Sequence, residues 1–298
     1  MDKRTMNWIT LGAILLLMMG FSCTKQDSPA QETSVYYEHL DEEVPAGELE
    51  EVPETQAPGA ELSKYEYSWS DSENMPDIVV IVDDFGNSGA LVEDFAKLPQ
   101  EVVFAVLPDL SHTRETGEIA AQTGHEVLIH IPMQAVSANA NPGERYISVE
   151  STPDEISLLL DDFHSQLPMA IGANNHMGSA VTADREAMTS VLNGLEDRGL
   201  FFMDSFTTGE SVAASLARTF GYPALRRDIF LDVPDSSDKT LAAKISSLEK
   251  YRGRREPVII ITHCHNRQKL ESLRRFITQI QGMGLRLVSL SEARDIAA

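Results

Sequence analysis

The chain has 298 residues, a formal net charge of −22 at pH 7 and only two cysteines, Cys23 and Cys264. Two cysteines exclude a disulfide framework as the basis of the architecture, so the domain must be stable through its hydrophobic core. The strong acidity argues against nucleic acid and anionic lipid as partners, since both are polyanions.

The first residues have the pattern of an export signal. Basic residues precede the apolar residues 9–19, a stretch too short to span a bilayer comfortably and typical of a signal peptide. The small Ser22 before Cys23 resembles the processing site of a bacterial lipoprotein, where Cys23 becomes the acylated first residue. Ordinary signal cleavage and a retained N-terminal anchor are alternatives. We therefore expect residues 1–23 to be a signal peptide of the lipoprotein type, and the protein to be exported and membrane-anchored, facing the periplasm or the exterior.

The following segment, residues 24–75, is highly acidic. It contains fourteen aspartates and glutamates against two lysines, together with four prolines and few large aliphatic residues. Such a composition buries too little apolar surface to offset the entropy of ordering the chain. We expect this segment to be a disordered, self-repelling tether.

Residues 76–298 predict one α/β domain, because strand-like apolar runs alternate with helical patterns. Strands are predicted at 78–82, 102–107, 126–131, 200–203, 229–231, 258–262 and 285–288, with weaker runs at 169–171 and 224–225. Helices are predicted at 89–97, 113–123, 154–166, 185–198, 210–220, 239–251 and 268–282. The pattern indicates a parallel sheet, either closed as a barrel or open and doubly wound. The sequence has no glycine-rich fingerprint for nucleotide phosphates.

Carboxylate and imidazole side chains recur where these strands end. The carboxyl ends of parallel strands share one rim, where α/β folds place their chemistry. The chain turns after Asp83, so both Asp83 and Asp84 can face one cation, or one can bind it while the other takes a proton. An acidic cap is the simpler interpretation of any single residue, but the repeated pattern favours a site. The residues are Asp83, Asp84, His130, His176, Asp204, Asp232, His263 and His265.

Six short motifs carry a family resemblance. In their order, and over residues 78–290, they resemble the divergent polysaccharide deacetylases, a branch of the metal-dependent carbohydrate esterases. The motif at residues 174–179 is the most specific of them. The resemblance implies a distorted (β/α) barrel of about seven strands, which periodicity alone does not distinguish from an open sheet. The motifs are Ile81-Val82-Asp83-Asp84-Phe85-Gly86, Gly124 to Met133, Asn174-Asn175-His176-Met177-Gly178-Ser179, Phe201 to Ser205, Arg227 to Asp232 and Thr262-His263-Cys264-His265.

The resemblance also implies a metal site. It places Asp83 as the general base and Asp84 as a ligand of a divalent cation, zinc. One carboxylate and two imidazoles leave an open position for water and a carbonyl. His176 is the first imidazole ligand and His130 the second, with Asn175 as a supporting neighbour.

This chain departs from the better-known deacetylases, which supply both histidines from a single HxxxH-type motif. His265 and Asp204 are therefore alternative ligands. His263 matches the late-strand histidine that acts as general acid, and it needs a nearby carboxylate, Asp204 or Asp232, to stay charged near neutral pH. Arg227 is expected to orient the base, to bind substrate or to form a structural salt bridge.

These features predict an exported, metal-dependent hydrolase of C–N (amide) bonds, a polysaccharide deacetylase. Its substrate would be a polysaccharide or amino-sugar oligomer of the envelope or exterior, from which it removes acetyl groups. One alternative is a non-catalytic barrel of the same fold that binds glycan or protein. Another is a glycoside hydrolase that uses Asp83 and a partner such as Asp204 as its carboxylate pair.

Overall fold

The computed structural model describes residues 62–297. The predicted signal peptide, Cys23 and most of the predicted tether, residues 24–61, lie outside the described residues. Among the residues that are described, no helix is both long enough and apolar enough to cross a membrane.

Strands and helices alternate along the described chain. The strands are β1 Ile78–Phe85, β2 Val103–Val106, β3 Val127–Met133, β4 Gly172–Met177, β5 Phe201–Asp204, β6 Leu225–Arg226, β7 Ile229–Phe230 and β8 Val258–His263. The helices are α1 Val92–Phe95, α2 Thr113–Gln122, α3 Pro153–Gln166, α4 Ser179–Ala183, α5 Arg185–Glu196, α6 Ala213–Phe220, α7 Asp238–Ser247, α8 Arg267–Gly282 and α9 Leu290–Ala297, with short 3₁₀ turns at Leu62–Lys64 and Leu248–Tyr251.

One parallel sheet organises the domain. Its strands lie in the order β6-β5-β4-β3-β2-β1-β8-β7, so β1 lies inside the sheet and the two-residue strands β6 and β7 form its edges. The sheet curls into a half-barrel with helices in the connections. This confirms the predicted deacetylase-type (β/α) barrel class, with eight strands instead of about seven.

The apolar run of β1 is buried on both faces, as its composition predicts. Val80 and Val82 pack in the larger cluster, which the helices cover. Val79 and Ile81 pack in a second cluster inside the curl. Because strand residues alternate between faces, Asp83 continues the inner set. The inside of the curl is thus apolar at its base and polar at the carboxyl ends of the strands.

Two predicted strand positions need correction. The stretch 285–288 is not a strand and forms only an isolated bridge between Leu287 and Ile78. β8 pairs with one side of β1 from Ile78 onwards, and β2 pairs with the other side only from Ile81 onwards. The stretch 285–288 can therefore reach only the start of β1. Conversely, the polar stretch after residue 171 is strand β4, which pairs with β3 over six residues.

Some helices also differ from the prediction. The helix predicted at 89–97 is reduced to the four residues of α1. Helix α4 has no counterpart among the predicted helices, and neither does helix α9. The Glu126 carboxylate accepts the backbone N–H groups of Leu290 and Ser291 at its first turn, a tertiary cap that the local sequence does not reveal.

Residues 62–75 pack against the barrel, which corrects the predicted tether over this stretch. Leu62 is completely buried and Trp69 is nearly so. The Trp69 indole N–H donates to the Ile245 carbonyl at 2.8 Å. The acidic composition did not predict this contact. A few large side chains within an acidic segment can still pack against a core that other parts of the chain form.

Candidate metal and catalytic site

The concave face of the sheet gathers most of the predicted site residues. Because side chains alternate along each strand, five polar residues lie on this face, above the inner apolar cluster. They are Asp83 of β1, His130 of β3, Asn174 and His176 of β4, and His263 of β8. All of these except Asn174 line one small cleft at the carboxyl ends of the strands. The residues lining it are Asp83, Asp84, His130, Asn175, His176, Met177, Ser205, Thr207, Phe230 and His263.

A backbone irregularity directs two consecutive carboxylates to this cleft. The register between β1 and β2 shifts between Val82 and Phe85. Asp84 has a φ of +69°, in the left-handed region that a non-glycine residue rarely adopts. A regular strand would send Asp83 and Asp84 to opposite faces, so this turn is what brings both to one site.

Asp84, His130 and His176 form a candidate metal centre. Asp84 Oδ1 lies 3.2 Å from His130 Nε2 and 3.1 Å from His176 Nδ1. One ligand atom from each residue lies within 4.8 Å of the other two. Although it is buried, Asp84 Oδ1 has no hydrogen bond to a protein group. One carboxylate oxygen and two imidazole nitrogens this close together could bind a divalent cation. Two nitrogen donors and one oxygen donor suit zinc.

The second oxygen of Asp84 has a different partner. His265 Nε2 donates to Asp84 Oδ2 at 2.6 Å, so His265 supports the Asp84 carboxylate and lies outside the candidate group of three ligands. Burial would raise the pKa of Asp84, but the surrounding imidazoles of His130, His176 and His265 hold it well below its usual range. Asp84 is therefore ionised across the neutral range, as a ligand must be.

Asp83 lies directly behind this centre. It is almost fully buried, and its Oδ2 is 3.8 Å from His130 Nε2. Asn174 Nδ2 donates to its other oxygen at 2.9 Å. Burial raises the pKa of Asp83, although His130 and His263 act in the opposite direction. A carboxylate with a raised pKa is the stronger base near neutral pH.

His263 approaches the cleft from the other side, held by Asp232. Its Nδ1–H donates to Asp232 Oδ2 at 2.9 Å, and Lys269 Nζ contacts the same oxygen at 2.7 Å. Burial would lower the pKa of His263, but the Asp232 charge raises it to about 9. His263 is thus an imidazolium at neutral pH, and of the two predicted carboxylates it is Asp232 that contacts it.

The remaining predicted residues support the loop after β5. Asp204 accepts the backbone N–H of Phe206 and the hydroxyl of Ser211, so both its oxygens hold this loop and it is not one of the three clustered ligands. Arg227 donates to the carbonyls of Ser205 and Phe206, both at 2.6 Å. Asn175 bonds the same loop through the Ser205 N–H.

Sequence reasoning missed two residues with central contacts. Asn174 bonds both His130 and Asp83, and Lys269 bonds Asp232. Asn174 was within reach of the sequence, since it lies two residues before His176 and therefore on the same face of a strand. Lys269 was not, because it lies on helix α8 and reaches the site only through the fold.

The chain also matches known proteins. It is 33% identical to the uncharacterized protein YibQ of Escherichia coli over 189 residues, covering 63% of this chain and 58% of that protein. It is 37% identical to an uncharacterized protein of Haemophilus influenzae over 158 residues, covering 52% and 55%. The chain thus spans just over half the length of these curated relatives.

A solved structure of an uncharacterized protein from Agrobacterium tumefaciens shares the fold, with a TM-score of 0.65 at 21% identity, covering 80% of this chain and 98% of that chain. The family model for divergent polysaccharide deacetylases matches residues 80–293, which include every strand from the middle of β1 to β8 and all the clustered ligands. With this match, the resemblance carried by the six motifs is confirmed: the chain belongs to the divergent polysaccharide deacetylase family.

Proposed function

We propose that this protein is a metal-dependent hydrolase that removes acetyl groups from the amino sugars of an envelope or extracellular glycan. The observation that carries the proposal is the placement of Asp83 and His263 beside one cluster of three metal-ligand side chains. Membership of the family supports a polysaccharide as the substrate class.

Asp84, His130 and His176 would hold the cation. A divalent cation such as zinc supplies a Lewis acid that polarises an amide carbonyl and lowers the pKa of a water molecule. The three side chains come from β1, β3 and β4, so the sheet holds them without loop ordering. His265 keeps the second Asp84 oxygen occupied, which leaves Oδ1 as the ligand atom.

Asp83 and His263 would divide the proton transfers. Asp83 accepts a proton from the water whose oxygen bonds to the carbonyl carbon. As the C–N bond breaks, His263 gives its proton to the amine nitrogen. Because Nδ1–H is bonded to Asp232, this proton comes from Nε2. The water proton and the acid proton thus end on Asp83 and on the amine, and acetate and a free amino sugar are the products.

Activity measurements with matched variants test this proposal. Purified full-length protein is loaded with zinc, and acetate release is measured from N-acetylated amino-sugar oligomers. We expect Asp83→Asn and His263→Ala each to reduce kcat by about 10²-fold or more while zinc stays bound. Glu118→Gln and His164→Ala, on helices α2 and α3, serve as controls.

The non-catalytic barrel is the competing outcome. Zinc-loaded protein that releases no acetate from any glycan, with the two variants binding the same oligomers as the wild type, would favour it. The glycoside hydrolase alternative requires a second free carboxylate beside Asp83. Both Asp204 oxygens are bonded within the loop, which argues against that role for Asp204.

We propose that the protein acts outside the cytoplasm and that a lipid attached to Cys23 anchors it to the membrane. The apolar stretch 9–19 and the small residue before Cys23 support it. Membrane fractionation that depends on Cys23 is the expected result. A Cys23→Ser protein that still sediments entirely with membranes would point to a retained signal anchor.

A further inference from the structure

A single buried amide joins the metal site to the proposed base. Asn174 lies on β4 and its side chain is fully buried on the concave face. Its Oδ1 accepts the Nδ1–H of His130 at 2.8 Å. Its Nδ2 donates to Asp83 Oδ1 at 2.9 Å and to Ser205 Oγ at 3.2 Å. The amide thus touches a proposed ligand and the proposed base at once.

The chemistry of an amide allows only one arrangement of these contacts. Its oxygen only accepts, so the proton of His130 must be on Nδ1, and Nε2 is then the nitrogen that faces Asp84 with a lone pair for a cation. Its nitrogen only donates, which suits an ionised Asp83. Turning the amide over would set its oxygen against the Asp83 carboxylate and its N–H group against the Nδ1–H of His130.

The neighbouring amide makes a useful contrast. Asn175 is equally buried, but it bonds only to backbone groups, donating to the Met177 carbonyl at 2.6 Å and accepting the Ser205 N–H at 2.9 Å. Asn175 also borders the cleft, but its side chain bonds to neither His130 nor Asp83. Only Asn174 bonds to the ionisable groups of the site.

We propose that Asn174 is a positioning residue that fixes the metal-binding tautomer of His130 and the orientation of Asp83 together. This inference deepens the proposed function and rests on it. Metal ligands lose affinity when the group that orients them is removed, and a base loses rate when its donor is removed. Since Asn174 lies behind both residues, it acts through them and does not contact substrate.

Two substitutions separate its two contacts in the full-length protein. Asn174→Ala removes both, so we expect zinc affinity, measured by competition with a chromogenic chelator, to fall about 10 to 100-fold. Asn174→Asp keeps an oxygen for His130 Nδ1–H but replaces the donor to Asp83 with a second carboxylate. We expect it to retain zinc affinity, to lose roughly 10-fold or more in kcat and to keep KM. The exposed Asn193→Ala is the control.

A measurement on the wild type needs no substitution and holds even if Asn174→Ala fails to fold. Long-range proton–nitrogen NMR spectra of the zinc-loaded protein should show the His130 proton on Nδ1. A proton on Nε2, or wild-type zinc affinity in Asn174→Ala, would overturn the inference. So would an equal loss of zinc by both variants.

These outcomes are separable from the fate of the proposed function. If the wild type binds zinc, Asn174→Ala binds it weakly and no glycan is deacetylated, the role of Asn174 at the metal stands and the deacetylase proposal fails. If the wild type deacetylates glycans and Asn174→Ala does so with unchanged zinc affinity, the deacetylase proposal stands and the inference fails. A wild type that binds no zinc overturns both.

Discussion

Replacing Asp232 with asparagine should remove the charge that keeps His263 protonated. Asp232 accepts the Nδ1–H of His263 at 2.9 Å, and both side chains are largely buried. The substitution keeps the size of the side chain and an acceptor oxygen, so it removes the negative charge with little change in packing. The proton on His263 is the one that the proposed mechanism gives to the leaving amine.

The size of the effect follows from the pKa of His263. In the metal-free protein, Asp232, with a smaller contribution from Asp84, raises this pKa from 6.5 to about 9, against the effect of burial. The shift corresponds to a free-energy difference on the order of 3 kcal/mol between the two protonation states. Without the charge, the pKa should return to 6.5 or below. At pH 8 the protonated fraction would fall from about nine-tenths to about 3%, so we expect kcat/KM to fall roughly 30-fold.

The assay is a profile of kcat/KM against pH for acetate release, with an NMR titration of His263 as an independent readout. Activity falls as His263 loses its proton, so the descending limb should lie near pH 9 in the wild type and move down by two units or more in Asp232→Asn. Asp235→Asn, three residues away, bonds only to Ser237 and Thr240 and should leave the limb in place. A descending limb at the wild-type position in Asp232→Asn would refute the reasoning.

Three further predictions concern metal, stability and pH. Asp84→Ala and His176→Ala should each abolish stoichiometric zinc binding, measured by metal analysis. Circular dichroism should stay unchanged, because these residues lie at the ends of the strands. Full zinc content in both variants would remove the proposed site. Trp69→Ala should lower the free energy of unfolding in urea by about 3–5 kcal/mol, since it empties a buried site, whereas the exposed Tyr65→Ala should change it by less than about 0.5 kcal/mol. In the metal-free protein, the folded-state pKa of His263 lies above its unfolded value of 6.5, so the stability from its ion pair is fully present below pH 6.5 and is lost as the pH rises through about 9. A stability profile with the same slope in Asp232→Asn would contradict that assignment.

The sequence alone determined the class of fold and most of the candidate site residues. Unbroken Val and Ile runs, such as that of β1, are stable only where both faces are covered, so alternation with helices was enough to predict a parallel sheet. Such strands share one rim at their carboxyl ends, and polar residues that interrupt or follow them must gather there. For this reason the sequence identifies Asp83, Asp84, His130 and His176 as candidate site residues.

Only the tertiary structure decided which of the candidate residues contact each other. Asp232 and Asp204 follow their strands alike in sequence, yet the first contacts His263 and the second holds the loop after β5. Strand β4 was equally hidden, because its polar side chains face other polar groups and its apolar character is low. Hydrophobic periodicity separates polar positions that face water from apolar positions that face the core. It does not detect a strand whose buried side chains are polar.

Local sequence patterns also do not contain contacts between distant segments, which is why some residues were missed or misplaced. Lys269 reaches Asp232 from helix α8, and Trp69 reaches the core from an acidic segment far from it in sequence. Both contacts depend on how the curled sheet brings distant segments within a few ångströms of each other. Local composition and spacing describe what a segment can do by itself. The partner that each side chain meets is set by packing over the whole chain, because burial and charge pairing act between residues that the sequence keeps apart.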